Sequence, residues 1–217
     1  MQFEFKFWRL LLKQYRRRLT LSQIAWRKKG FSSPSPHSVK MAVLKRYGSP
    51  DSTWIETGSY LGETASRLSR ISKQVHSIEP EKSLFEFVSR KYKKIDNLKF
   101  YYGPSEKVLE DLVRVQNVNT CFWLDGHFSG DITYRGDDSS PIIFELSVIE
   151  KYLVNLENVR VLVDDVRDFA LQSNDSSYPN LNYLVSWATK NNLNWTIEHD
   201  IFIAGFKLAD VNEGLMR

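Results

Sequence analysis

Five carboxylates stand where short apolar runs end, and their placement is the first chemical signal in this sequence. Glu56 follows Thr53-Trp54-Ile55 and opens Thr57-Gly58-Ser59-Tyr60-Leu61-Gly62; Glu79 follows Val75-His76-Ser77-Ile78. Asp125 follows Thr120 to Leu124 and precedes Gly126-His127, and the pair Asp164-Asp165 follows Val159 to Val163. A carboxylate in such a place accepts hydrogen bonds from neighbouring hydroxyls or pairs with a cation. Gly58 permits a sharp turn against which a ligand can lie, and Gly62 lets the next helix begin close to the strand. Glu79 comes about 20 residues after the turn, the separation at which a carboxylate reaches both hydroxyls of a ribose. If the runs ending at Asp125 and Asp164 are neighbours, three carboxylates and the His127 imidazole converge on one small volume. Crowded carboxylates call for a compensating cation, and oxygen ligands without thiolate favour a hard ion, Mg²⁺ first.

The elements that must position these groups follow from periodicity. Strands are expected at Thr53 to Glu56, Val75 to Ile78, Leu98 to Tyr102, Thr120 to Leu124, Val159 to Val163, Trp195 to Glu198 and Ile201 to Phe206. Helices are expected at Ser38 to Tyr47, Gly62 to Ser72, Ser83 to Tyr92, Glu106 to Val115 and Leu181 to Lys190. A further helix bears Ile142, Leu146, Ile149 and Leu153 behind the capping pair Ser140-Pro141. Continuous apolar strands separated by helices predict a doubly wound α/β architecture, a mostly parallel seven-stranded sheet covered on both faces. The short His199-Asp200 link makes the last two strands a hairpin, with the final strand antiparallel to the rest. Ligands of open parallel sheets bind beyond the carboxyl ends of the strands, where all five carboxylates fall.

Two nucleoside cofactors suit the first turn, a dinucleotide and S-adenosylmethionine. The dinucleotide fingerprint needs GxGxxG, whereas Tyr60 occupies the middle glycine's place and Glu63 would set negative charge beside a phosphate. Glu56 instead suits the ammonium of a methionine moiety, so the sulfonium ligand is preferred; a glycine turn with no ligand is the plain structural alternative. With these residues in place, Glu56 to Gly62 followed by Ser77-Ile78-Glu79-Pro80 resembles the first two motifs of the class I S-adenosylmethionine-dependent methyltransferases. The register extends through Tyr102-Gly103-Pro104-Ser105 and Leu124-Asp125-Gly126-His127, covering about residues 38–207. The resemblance implies a Rossmann-like methyltransferase fold. It implies a cofactor site of Glu56, Thr57, Gly58, Ser59, Tyr60, Gly62, Glu79 and Asp125, with Ser105 near the adenine. Tyr60 departs from the pattern.

The acidic residues after strands four and five are similar to those of the macrocin-type sugar O-methyltransferases. By that likeness Asp125, Asp164 and Asp165 are metal ligands and His127 takes the place of the general base, with histidine where that family has aspartate. The wording Asp125-Gly126-His127-Phe128-Ser129-Gly130 also resembles methyltransferase-like proteins of bacterial surface-polysaccharide gene sets. The mechanism this implies has Mg²⁺ binding two acceptor oxygens while His127 removes a hydroxyl proton. Each residue has a plainer role open to it. Asp164-Asp165 is also a plausible helix-capping pair, His127 and His37 plausible loop histidines, and the polar loop 130–140 a substrate lid or an oligomer contact. Arg167 and Asp168 are further candidates to face the acceptor.

Composition bounds the rest. At 217 residues, 42% apolar and 26% charged, the chain is expected to fold around one core, and its single cysteine, Cys121, excludes an internal disulfide, a thiolate zinc site and a CxxC pair. A cytoplasmic home follows, with no secretory signal and no membrane-spanning stretch. Residues 1–29 hold nine Lys/Arg against Glu4 alone, which leaves 21 basic and 25 acidic residues for the remainder. A net-acidic body argues against a nucleic-acid partner. Residues 1–31 thus form a basic amphipathic helical segment, with Phe3, Phe7, Leu10, Leu11 and Tyr15 near one stripe, ahead of a methyltransferase-like domain at 32–217. That segment either packs on its own domain or on a second copy in a homo-oligomer, docks at the inner face of an anionic membrane, or is unordered in isolation. Two rival functions stay open: a metal-dependent glycosyltransferase, whose Asp-x-Asp is absent, and a non-catalytic binding or scaffold protein.

Overall fold

The computed structural model describes residues 21–117, 119–125, 141–170 and 179–205. Strands β1 (Thr53–Thr57) and β4 (Thr120–Leu124) are buried at every position, as strands covered on both faces must be. Around them lie β2 (Gln74–Glu79), β3 (Leu98–Tyr102), β5 (Arg160–Val163), β6 (Trp195–Glu198) and β7 (Ile201–Ala204), in a seven-stranded sheet of order β3-β2-β1-β4-β5-β7-β6. The strands β1 to β5 pair in parallel, and β7 runs antiparallel to both β5 and β6. This is the architecture the sequence predicts. The order reverses between β1 and β4, so a crevice opens where those strands end.

Side chains alternate across the sheet and build two cores. On one face Ile55, Phe122 and Val161 pack with α5 (Ser105–Arg114), α6 (Ile142–Tyr152) and α8 (Leu181–Lys190). There the Trp187 indole donates to the Leu146 carbonyl at 3.2 Å. On the other, Trp54, Trp123 and Leu162 pack with α2 (His37–Tyr47) and α3 (Glu63–Leu68). Helix α4 (Lys82–Lys91) covers β2 and β3. Cys121 lies in this second core, fully buried, and burial pushes its thiol up to about 11. Helical residues 21–28 (α1) lead into it: Trp26 meets Phe31 edge-on at 5.0 Å and His199 at 5.6 Å.

Local chemistry explains the departures from the sequence expectation. Helix α3 stops at Leu68 instead of Ser72, because Ser69 and Ser72 turn their hydroxyls back to the Ser66 and Leu68 carbonyls at 3.0 and 2.6 Å. Strand β7 stops at Ala204 because Gly205 takes φ +87°, where a Cβ would stand 2.2 Å from the Val159 carbonyl oxygen. Two short elements carry too few residues for a periodic signal: the 3₁₀ turn Leu153–Asn155 and α7 (Val166–Ala170). His37, read above as a loop residue, is the first residue of α2. Among the described residues no helix is long and apolar enough to cross a membrane. The stripe at residues 3–15, Gly126, His127 and the loop 130–140 lie outside the described residues.

Candidate active site

The turn after β1 is shaped by positive φ at Gly58 (84°), Tyr60 (47°) and Gly62 (72°). The N–H groups of Gly58 and Ser59 both donate to the Ile78 carbonyl, at 3.0 and 3.2 Å, which lashes the turn to the end of β2. Tyr60 accepts a conformation that costs a side chain about 1–2 kcal/mol, while its ring is turned outward, 53% exposed, and its N–H donates to Glu79 Oε2 at 2.8 Å. The departure at Tyr60 therefore leaves the turn's backbone as a glycine would. Gly62 is needed for a different reason from the one expected: a Cβ there would meet the Tyr92 ring at 2.6 Å, so it admits α4 as well as starting α3.

Two carboxylates are buried under this turn. Glu56 accepts a short hydrogen bond from Ser77 Oγ, and Ser59 Oγ lies 2.5 Å from the same hydroxyl. Burial pushes Glu56 up to about 8 against that bond, with Asp125 and Glu79 adding to the rise, so it carries a proton at neutral pH. Glu79 is held by backbone donors, Tyr60 N–H and Glu81 N–H, the second at 3.0 Å on Oε1, with the Ser59 backbone also contributing. Burial raises its pKa despite them. Each oxygen of Glu79 keeps a lone pair for a hydroxyl. Gly103 N–H donates to the Glu79 carbonyl at 3.0 Å, which brings the end of β3 and buried Ser105, the first residue of α5, beside it.

Across the switch point lies the acidic end. Asp125 N–H donates to the Thr57 carbonyl at 3.2 Å and Asp164 N–H to the Leu124 carbonyl at 3.1 Å, so the residues after β4 and β5 continue the sheet's ladder. One carboxylate oxygen from each of Asp125, Asp164 and Asp165 lies within 4.8 Å of the others, which is the predicted convergence. A cation from elsewhere in the chain is already there. Lys40 Nζ, on α2, is 2.6 Å from Asp164 Oδ2 and 2.7 Å from Asp165 Oδ1. Arg167 Nη1 lies 2.7 Å from Asp165 Oδ1 and also pairs with Asp200. Burial first, then the charges of Asp125 and Asp165, push Asp164 up to about 7, and Lys40 is raised by the same carboxylates against its burial. By formal charge the cluster sets Asp125, Asp164, Asp165 and Asp200 against Lys40 and Arg167, more negative groups than positive. Arg167 and Lys40 hold Asp165 below the ordinary carboxylate value despite its burial.

The helix-capping role open to Asp164-Asp165 belongs instead to Asp200, whose Oδ1 and carbonyl accept from Arg167 N–H and Val166 N–H, each at 3.0 Å. Asp168 sits 3.7 Å from Arg167 Nε. Sequence reasoning missed Lys40 and undervalued His37. The two stand three apart at the start of α2, on one face. His37 Nε2 is buried without a hydrogen-bond partner among the described residues, close enough to feel Glu63 and Asp125, and burial lowers its pKa. Thr57 Oγ1, at the end of β1, is likewise buried and unpartnered there. The available signal was a histidine and a lysine three apart on the first turn of a helix whose middle, Met41 to Leu44, is apolar.

These features fit a polar nucleoside ligand at the turn: unpartnered buried atoms, a bare backbone and a carboxylate with open lone pairs. They do not fit a divalent ion while Lys40 is in place. Both oxygens of Asp164 are engaged, since Oδ1 accepts from Asp165 N–H at 2.8 Å, and Asp165 Oδ1 is shared by two cations.

No family model matches the chain, and no curated protein matches it. Solved structures do. An O-methyltransferase from Bacillus cereus, in complex with SAH, is 13% identical, with 86% of this chain and 88% of that chain covered and a TM-score of 0.55. Precorrin-6y C5,15-methyltransferase from Geobacter metallireducens is 11% identical over 76% of this chain and 88% of that chain, TM-score 0.52. The YcgJ protein from Bacillus subtilis is 14% identical over 74% and 70%, TM-score 0.50. These likenesses show the fold: a Rossmann-like class I methyltransferase architecture with the last strand antiparallel.

Proposed function

We propose that this chain is an S-adenosylmethionine-dependent O-methyltransferase acting on a sugar or another polyhydroxylated acceptor. The observation that carries the reading is Glu79 at the switch-point crevice, fixed by Tyr60 and Glu81 N–H groups with lone pairs left over, beside the Gly58 turn. A ribose diol answers that carboxylate, the bare turn accommodates the methionine end, and Ser105 flanks the adenine. When bound, S-adenosylmethionine supplies an electrophilic methyl group. The acidic end, with Asp125, Asp164 and Asp165, is suited to hydroxyl groups, and its surplus negative charge favours a cationic cofactor over a phosphate-bearing one. That surplus also weighs against the nucleotide-sugar of a glycosyltransferase.

For the proton of the acceptor hydroxyl, His127 is the proposed base, two residues past Asp125. A second candidate rests on a specific observation: His37 Nε2 is buried, unpartnered among the described residues and kept neutral by burial, beside Asp125. The Mg²⁺ assistance and polysaccharide setting drawn from resemblance gain no support from this geometry, and no step needs the metal.

Calorimetry tests the reading. S-adenosylhomocysteine should bind the full chain, and Glu79→Ala should weaken it about 10- to 100-fold, the scale of one hydrogen bond to a charged group. Binding of NAD with none of the adenosyl ligand would overturn the assignment. With an acceptor in hand, comparing the pH dependence of His127→Gln and His37→Gln separates the two bases.

A further inference from the structure

We propose that Lys40 is the resident cation of the acidic end: its ammonium occupies the place between Asp164 and Asp165 where a divalent ion would otherwise sit, and holds an acceptor oxygen there without metal. The role deepens the methyltransferase reading and rests on it for the acceptor, while the exclusion of metal stands independently.

The geometry carries the inference. Nζ lies 2.6 Å from Asp164 Oδ2 and 2.7 Å from Asp165 Oδ1, and the Lys40 side chain is 14% exposed against 3% for Asp164. A magnesium ion needs the same oxygens at about 2.0–2.1 Å in near-octahedral array. Two cations cannot share them, since their repulsion at that range in a half-buried site is large. Arg167 Nη1 on Asp165 Oδ1 and Asp165 N–H on Asp164 Oδ1 close two further approaches. An ammonium has three N–H donors. Asp164 and Asp165 take two, and among the described residues the third has no partner. A hydroxyl oxygen beside Asp125 is the ligand that fits it. Position adds to this: Lys40 sits 124 residues before Asp164, and α2 brings it over the ends of β4 and β5 through the packing of Val43, Leu44 and Tyr47.

Manganese is the probe, a divalent ion read by electron paramagnetic resonance and competed by Mg²⁺. Chelator-treated wild-type chain should show no saturable Mn²⁺ site tighter than about 1 mM, the weak end of carboxylate sites. It should bind S-adenosylhomocysteine equally with and without Mg²⁺. Lys40→Met, which keeps the aliphatic stem, should gain a Mn²⁺ site at least about tenfold tighter than wild type, as expected when a positive charge leaves a carboxylate pair. That site should vanish in the Lys40→Met/Asp164→Asn double variant. Mn²⁺ should raise the thermal midpoint of Lys40→Met and leave wild type unmoved. Lys40→Arg should stay metal-free. A wild-type Mn²⁺ site lost in Asp164→Asn would overturn the proposal, and so would a Lys40→Met chain that binds the adenosyl ligand normally yet takes up no Mn²⁺. Should Lys40→Met fail to fold, the wild-type and Asp164→Asn titrations still decide. Failure of wild type to bind the adenosyl ligand would remove the cofactor reading and leave the metal result standing.

Discussion

The turn after β1 and the end of β5 both bury carboxylates, and they neutralise them by opposite means. At the turn, burial favours the protonated form of Glu56 against the Ser77 hydrogen bond, and among the described residues no cation pairs with it. At the acidic end, Asp164 and Asp165 are met by Lys40 and Arg167. A proton leaves the turn uncharged, and a fixed ammonium leaves donors and residual negative charge; under the proposed function these suit a cofactor and an acceptor hydroxyl in turn. One chain thus uses both routes around the cost of a buried charge.

The contrast is broken most severely by removing a counterion. Lys40→Met strands a buried carboxylate and should cost about 3–5 kcal/mol in urea unfolding at pH 7. A loss under about 1 kcal/mol would mean the pair is solvated and the two regions are alike.

A smaller effect comes from pH. Glu56 has its pKa raised on folding, so the folded chain holds this proton while the unfolded chain has released it. The stabilisation is complete below about pH 4.5 and disappears as pH rises through about 8. Wild type should therefore lose, relative to Glu56→Gln, on the order of a few kcal/mol between pH 5 and 8. Asp164, raised to about 7, acts in the same direction in both chains, so the difference between them isolates Glu56. Parallel pH curves for the two would place a counterion at Glu56 and dissolve the contrast.

The least effect is expected at Tyr60. Tyr60→Gly relieves a left-handed side chain and adds unfolded-state entropy, for a net gain of about 0.5–1 kcal/mol with adenosyl affinity kept. A clear loss of stability would show that the ring, not the backbone, holds the turn.

The same two regions differ in how far they could be read from sequence. Every strand fell within about a residue or two of its expected place, the central ones because burial on both faces favours a run of buried side chains and the edge ones because short β-prone runs end at polar turns. The turn after β1 is one contiguous segment, so its glycines were visible directly and Glu79 as a spacing from them. At the acidic end the carboxylates were equally visible, and their neighbourhood followed once β4 and β5 were adjacent. Their counterion was not, because Lys40 belongs to a helix remote in sequence and reaches the cluster only through packing. The expected metal gains no support from this geometry, and Lys40 lies against two of the carboxylates named as its ligands. The early end of α3 was hidden too: serine hydroxyls competing for helix carbonyls leave no mark on hydrophobic periodicity.

Cys121, within the core that packs on α2, turns this architecture into its own gauge. With the thiol fully enclosed in a central strand and kept protonated, a thiol-specific dye can react only after the sheet parts. Its labelling rate therefore clocks opening of the strand that ends at Asp125, with no added tag and no competing sulfhydryl.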